Sequence, residues 1–213
     1  MEDLYKNNYG DSIGDIANAM ELVKQYTHET DPDKIKELTE NAMALDDVFQ
    51  IDLSEGIKAA DTLMDDMGVS AEKAFDLIAA GAQNGLNQSG ELADNLKEYT
   101  SLWSQAGFSA EEMFTILQNG LDSGAYNLDK VNDFVKEFGI SLSDGRIEEN
   151  IGSFSKETRN LFGEWKNGQA STKQVFNSVI SDLSKMENKQ EALTLASTVW
   201  SSLGEDNALD MIT

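Results

Sequence analysis

"GVSAEKAFDLIAAGAQNG", residues 68–85, and "GFSAEEMFTILQNGLDSG", residues 107–124, are nearly the same phrase written twice, 39 residues apart. The match runs on without a gap through Thr100 in the first copy and Gly139 in the second. Identities fall at Gly68/Gly107, Ser70/Ser109, Ala71/Ala110, Glu72/Glu111, Phe75/Phe114, Gly81/Gly120, Gly85/Gly124, Asp94/Asp133, Lys97/Lys136 and Glu98/Glu137. Between them stand the conservative pairs Ile78/Leu117, Leu92/Val131, Leu96/Val135 and Tyr99/Phe138. The apolar positions recur at helical spacing in two successive stretches of each copy, so the pattern predicts a duplicated helical hairpin. An amphipathic hairpin has one apolar stripe and does not bury it alone, so neighbouring hairpins must pack.

The punctuation agrees. Ser70 and Ser109 stand where a hydroxyl can accept from first-turn N–H groups. Glu112 completes a capping box after Ser109, whereas Lys73 at the matching place does not. Gly85 and Gly124 stand where each first helix should stop with a left-handed residue. Gly81 and Gly120 fall inside those helices, where glycine costs about 1 kcal/mol against alanine. Two readings of that pair are open: a close approach of a neighbouring helix, or fraying one turn early.

Working outward, "DSIGDIANAMELVKQYT" (11–27), "DPDKIKELTENAMALDDVF" (31–49) and "DLSEGIKAADTLMDDMG" (52–68) read as helices, the second opened by Asp31 as N-cap and Pro32 at the first helical position. After the duplication, "ISLSDGRIEENIGSFS" (140–155) is the most loop-like stretch and a candidate hinge. Helices follow in "KETRNLFGEWKNG", "STKQVFNSVISDLSKM" and "KQEALTLASTVWSSLG". The expectation is an all-α array of nine or ten short amphipathic helices. Its divisions are acidic helices in 1–66, duplicated hairpins in 67–145 (68–106 and 107–145) and closing helices in 146–213, together one continuous compact domain.

Composition supports helix and narrows chemistry. The chain has 213 residues, one proline and no cysteine. Disulfides, thiolate metal sites and cysteine nucleophiles are out of reach. His28 is the single histidine, which leaves little for imidazole catalysis or zinc. The net charge of −23 divides as −12 over 1–66, −9 over 67–150 and −2 over 151–213. Such a surface repels nucleic acid and anionic membranes, so no direct nucleic-acid binding is expected. No apolar run is long enough to span a bilayer as a simple helix, and "MEDLYKNNYG" does not read as a signal peptide.

No constellation selects a catalytic, cofactor or metal site. Asp122, Asn127, Asp129 and Asp133 are hard-oxygen ligands in "DSGAYNLDKVND", but their spacing misses an EF-hand loop, and capping and turn roles explain them. The carboxylates lie on the charged helix faces, and nothing in the sequence selects the pair that a glycosidase sets across a cleft. Trp103, Trp165 and Trp200 fall on apolar stripes and read as core. His28 reads as a loop residue between two acidic helices.

The residues "EKAFDLIAAGAQNGLNQSGELADNLKEYTSLW", "FSAEEMFTILQNGLDSGAYNLDKVNDFVKEF" and the closing "VFNSVISDLSKMENKQEALTLASTVWSSLGED" resemble the helical core region of phage tail tape measure proteins, those of long non-contractile-tailed phages and prophages of Gram-positive bacteria. The resemblance covers about residue 10 to the end. It implies a structural, non-enzymatic protein that sets tail length, fills the tail tube lumen and assists DNA delivery. The implied partners are tail tube protein, a tail assembly chaperone, other copies of the chain and the host envelope at ejection. The implied places are the virion and, during assembly, the host cytoplasm. The chain is shorter than a whole tape measure protein and reads as a piece of one. Two other readings stay open: a helical-repeat adaptor that binds a partner helix in a groove, which exposed Trp or Phe would favour, and a muralytic enzyme domain.

Overall fold

The computed structural model describes residues 2–6, 9, 10 and 12–201. Among them are twelve α-helices, one 3₁₀ turn and no strand, so the chain is all-α. The helices are α1 (Glu2–Lys6), α2 (Ile13–Thr27), α3 (Pro32–Phe49), α4 (Leu53–Met67), α5 (Ala71–Gln83), α6 (Leu92–Ala106), α7 (Ala110–Asp122), α8 (Leu128–Asp144), α9 (Arg146–Asn150), α10 (Lys156–Lys166), α11 (Thr172–Lys185) and α12 (Lys189–Trp200), with the 3₁₀ turn at Ile151–Ser153. The two beyond the expected count, α1 and α9, are each five residues long, too short for a periodic signal.

The chain divides into two compact units, Met1–Ser101 and Leu102–Thr213. The division falls within α6, inside the expected hairpin 68–106.

In the first unit α2 packs on α3 and α4, and α5 covers α3 and α4. Ile16, Val23, Leu38, Leu45, Ile57, Leu63, Phe75 and Ile78 are buried between them. Local chemistry starts each helix. Asp31 Oδ1 accepts from the Asp33 N–H at 2.9 Å with Pro32 at the first position, and Asp52 Oδ1 accepts from Ser54 and Glu55 N–H at 3.0 and 3.1 Å. Asn87 ties two elements together. Its Nδ2 donates to the Phe49 carbonyl at the end of α3, and its Oδ1 accepts from the Leu92 N–H at the start of α6.

In the second unit α7 packs on α8, α8 on α9 and α12, and α10 and α12 on α11. Its core is aromatic. Phe176 meets Phe108, Phe134, Phe138 and Trp200 edge-on, and Phe134 stacks on Trp200 with ring centres 4.4 Å apart.

The matched positions of the two copies behave alike. Phe75 and Phe114, Ile78 and Leu117, Leu92 and Val131, Leu96 and Val135 are all buried. Helices α5 and α7 both have 13 residues, and each starts on a serine hydroxyl, with a full capping box only at Ser109 and Glu112. Both end the same way. Gly85 and Gly124, at φ +95° and +96°, bond to the carbonyls of Ala82 and Leu121. The next residues, Leu86 and Ala125, reach back to Gly81 and Gly120, which completes a Schellman closure. The copies differ at their second helices. α8 begins at Leu128, which aligns with Ser89, one turn before the Leu92 start of α6. Asn127 caps α8 by accepting from the Lys130 N–H. In the first copy Gly90, at φ +77°, stands where Asp129 continues α8.

The candidate hinge at 140–155 is a correction. Ile140–Asp144 continues α8, Arg146–Asn150 forms α9, and the 3₁₀ turn follows directly. Leu142, Ile147 and Phe154 are buried, and Arg146 bonds to Glu137, Asp144 and the Val199 carbonyl. Tertiary burial holds a stretch whose Ser, Asp and Gly content reads as loop. The "SSLG" end of the last expected helix runs past Trp200, and its last three residues lie outside the described residues.

Candidate functional site

Trp103 and Trp200 are fully buried in the second unit. Trp103 Nε1–H donates to Asn132 Oδ1 at 2.7 Å, and Trp200 Nε1–H donates to the Phe134 carbonyl at 3.1 Å. Trp165 is half-buried, stacked on Phe162 with its N–H on Thr172 Oγ1 at 3.2 Å. All three indoles spend their single donor inside the protein, as buried tryptophans do. Among the described residues no Trp or Phe is exposed. The exposed large apolar side chains are Tyr5, Ile13, Val48, Tyr126, Ile140 and Leu193.

The hard-oxygen residues of the α7–α8 turn have structural uses. Asp122 accepts from the Gln118 amide at 2.9 Å and Asn127 is the cap of α8, with Asp129 and Asp133 beyond it on that helix. Among the described residues no three His, Asp or Glu side chains are placed to hold a metal ion. No helix there is long and apolar enough to cross a membrane. His28 ends α2 in the left-handed conformation, φ +54°.

A cluster that sequence reasoning missed links α10 to α11. Asp182 Oδ2 accepts from the Ser155 N–H at 2.8 Å and from the Thr158 hydroxyl at 2.6 Å, and Thr158 shares a hydrogen bond with Ser178. Hydroxyl beside carboxylate suggests nucleophilic chemistry, but Thr158 is fully buried and its proton is committed to Asp182, so the cluster is a clasp between helices. A second missed residue is Asn132, wholly buried on the apolar stripe of α8 where the first copy has Ala93. An amide on an apolar stripe was its only signal.

A shallow cleft of about 390 Å³ in the second unit is lined by Asn150, Ser153, Asn188, Gln190, Glu191 and Thr194, with Leu195 and Thr198. Four of these spend their side chains on helix backbone: Asn150 on the Arg146 carbonyl, Asn188 on the first turn of α12, Thr194 and Thr198 on carbonyls one turn back.

What the geometry offers is packing surface and individually capped helices, with the indoles, the α7–α8 turn residues and the Asp182 cluster engaged in holding them. Neither curated proteins nor solved structures give a match to the chain. Residues 6–199 match the model of the family described as phage-related minor tail protein, and the chain belongs to that family.

Proposed function

We propose that this chain is a length-setting segment of a tape measure protein, lying in the lumen of a phage tail tube and contributing structure without catalysis. The observation that carries the reading is the family match over residues 6–199. The 39-residue recurrence supports it, because a repeated helical unit is a natural increment of length. Its partners in this reading are the tube protein, a tail assembly chaperone and further copies of the chain, with the host envelope met at ejection. Virion tail and, during assembly, host cytoplasm are its places.

A tension accompanies the reading. The longest helix, α3, has 18 residues and spans about 27 Å, while within each unit the helices fold back on one another. A ruler needs the helices strung out. The compact units are then the form of the segment outside the tube, and the tube holds them unpacked.

The test is an in-frame deletion of residues 107–145 in a phage that carries the chain, with tail lengths measured by electron microscopy. Extended helix predicts tails shorter by roughly 60 Å. Tails of normal length with poor infectivity would overturn the length-setting role and leave a compact domain used in assembly or DNA entry.

A further inference from the structure

Helix α8 receives two buried indoles, one at Asn132 and one at the Phe134 carbonyl, two residues apart. Trp103, Trp200 and Asn132 are all fully buried. The surrounding core is made of rings: Phe108 on Trp103, with Phe134, Phe138 and Phe176 around Trp200. Apolar contact is non-directional, and a core of rings keeps most of its burial through many arrangements. A buried hydrogen bond is directional, and shifting a helix by even a fraction of a turn leaves both partners unpaired. The helices around this core also do not depend on it for closure. Ser109, Asn127, Ser155, Ser171 and Asn188 each cap their own helix through first-turn N–H groups.

We propose that the indole bonds from Trp103 and Trp200 to α8 are the lock of the second unit, fixing one packed arrangement of an otherwise permissive aromatic core, so that the unit can lose its packing while keeping its helices. Asn132 is the replaceable half of the lock, since the other acceptor is backbone. The inference is independent of the tail assignment, because it rests only on these bonds, the ring core and the caps.

The test uses the whole chain with Trp103→Phe and Asn132→Leu combined. The pair removes the indole donor and its amide acceptor together. A control, Phe176→Leu, removes ring surface and keeps both bonds. The double variant is expected to keep its far-ultraviolet helix signal to within about a tenth and to bind a hydrophobic dye. Its Trp200 indole N–H resonance should broaden, with exchange protection down by about tenfold or more. The control should lose packing and helix together, at a lower midpoint. The lock is overturned if the double variant keeps a sharp, protected Trp200 resonance. It is overturned equally if that variant unfolds outright, or if the control separates packing from helix as the double variant does.

Discussion

Gly120 lies inside α7 with its α-carbon against α8. A β-carbon placed there would collide with Val131 Cγ2 and stand 3.1 Å from Cγ1. This settles the sequence ambiguity at Gly120 in favour of close helix approach, since the residue is buried and helical and not frayed. Val131 is β-branched and on a helix, so its χ1 has little room to yield. Gly120→Ala should therefore lose about 3 kcal/mol to overpacking and regain about 1 kcal/mol of helix propensity. A net loss of about 2 kcal/mol is expected in urea unfolding, much of it recovered by adding Val131→Ala. Ser141 presents the opposite case. Its hydroxyl is buried on α8 with no hydrogen-bond partner, whereas the buried Thr39 and Thr100 hydroxyls bond to carbonyls one turn back at 2.6 Å. Ser141→Ala removes an unpaired polar group and is expected to raise stability by about 1 kcal/mol. A loss of similar size in the same urea titration would mean that the hydroxyl has a partner in solution.

At the scale of elements, α7 shows what one cap residue does for two helices. Glu112 accepts from the Ser109 N–H at 2.7 Å, while both its oxygens take Lys173 of α11 at 3.0 Å. The Ser109 N–H first, then Lys173, hold its carboxyl below the ordinary value. A depressed carboxylate contributes stability that is present above its unfolded pKa and is lost as pH falls through the folded one. Glu112→Gln can still close the capping box but loses the charge on Lys173, so it should cost less than Glu112→Ala, about 0.5 against 1.5 kcal/mol. The wild-type advantage over Glu112→Gln should shrink as pH falls below the ordinary carboxylate value of about 4, whereas the gap between the two variants, neither of which titrates at this position, should stay, measured by thermal unfolding. The starts and stops of most helices were legible in the sequence because their causes are local: Ser70, Ser109, Asp31 with Pro32, Gly85 and Gly124 act within a turn of where they stand. The stretch 140–155 was misread because its helices rest on Leu142, Ile147 and Arg146 finding partners elsewhere, Arg146 on the carbonyl of Val199. The Trp103–Asn132 bond and the Asp182 clasp join residues 29 and 24 to 27 apart, and no periodicity encodes such pairings. At the candidate site, the core placement of Trp103 and Trp200 was readable from their stripes, but the acceptors that fix them were not.

At the scale of the whole chain, the two units differ in charge. Met1–Ser101 carry 22 acidic and 7 basic side chains, a net −15, against 17 and 9, a net −8, over Leu102–Thr213. In the first unit some carboxylates are well served. Lys97 and Lys58 flank Glu55 and hold it below the usual range. Others are not. Burial, then neighbouring Asp52 and Asp47, raise Asp46. Burial and Asp65 raise Asp61, against a small opposing effect of His28. A carboxyl raised in the folded state binds its proton more tightly there than in the unfolded chain, so folding gains stability as pH falls from neutral through the raised value. The gain ends near the ordinary carboxylate value of about 4, where Glu55 and the other depressed groups begin to lose theirs. The first unit should thus be most stable near pH 5, not at pH 7. The same self-repulsion is screened by salt, over about 10 Å at 0.1 M. Raising sodium chloride from about 10 mM to 0.5 M at pH 7 should stabilise the first unit more than the second, with screening of 22 acids outweighing the weakened lysine pairs. Hydrogen exchange resolved by peptide, comparing α2–α4 with α10–α12, reads both effects in one sample. Equal salt responses in the two sets, or protection of α2–α4 that falls between pH 7 and 5, would show that the repulsion is already relieved by the fold. The acidic composition would then bear on solubility alone.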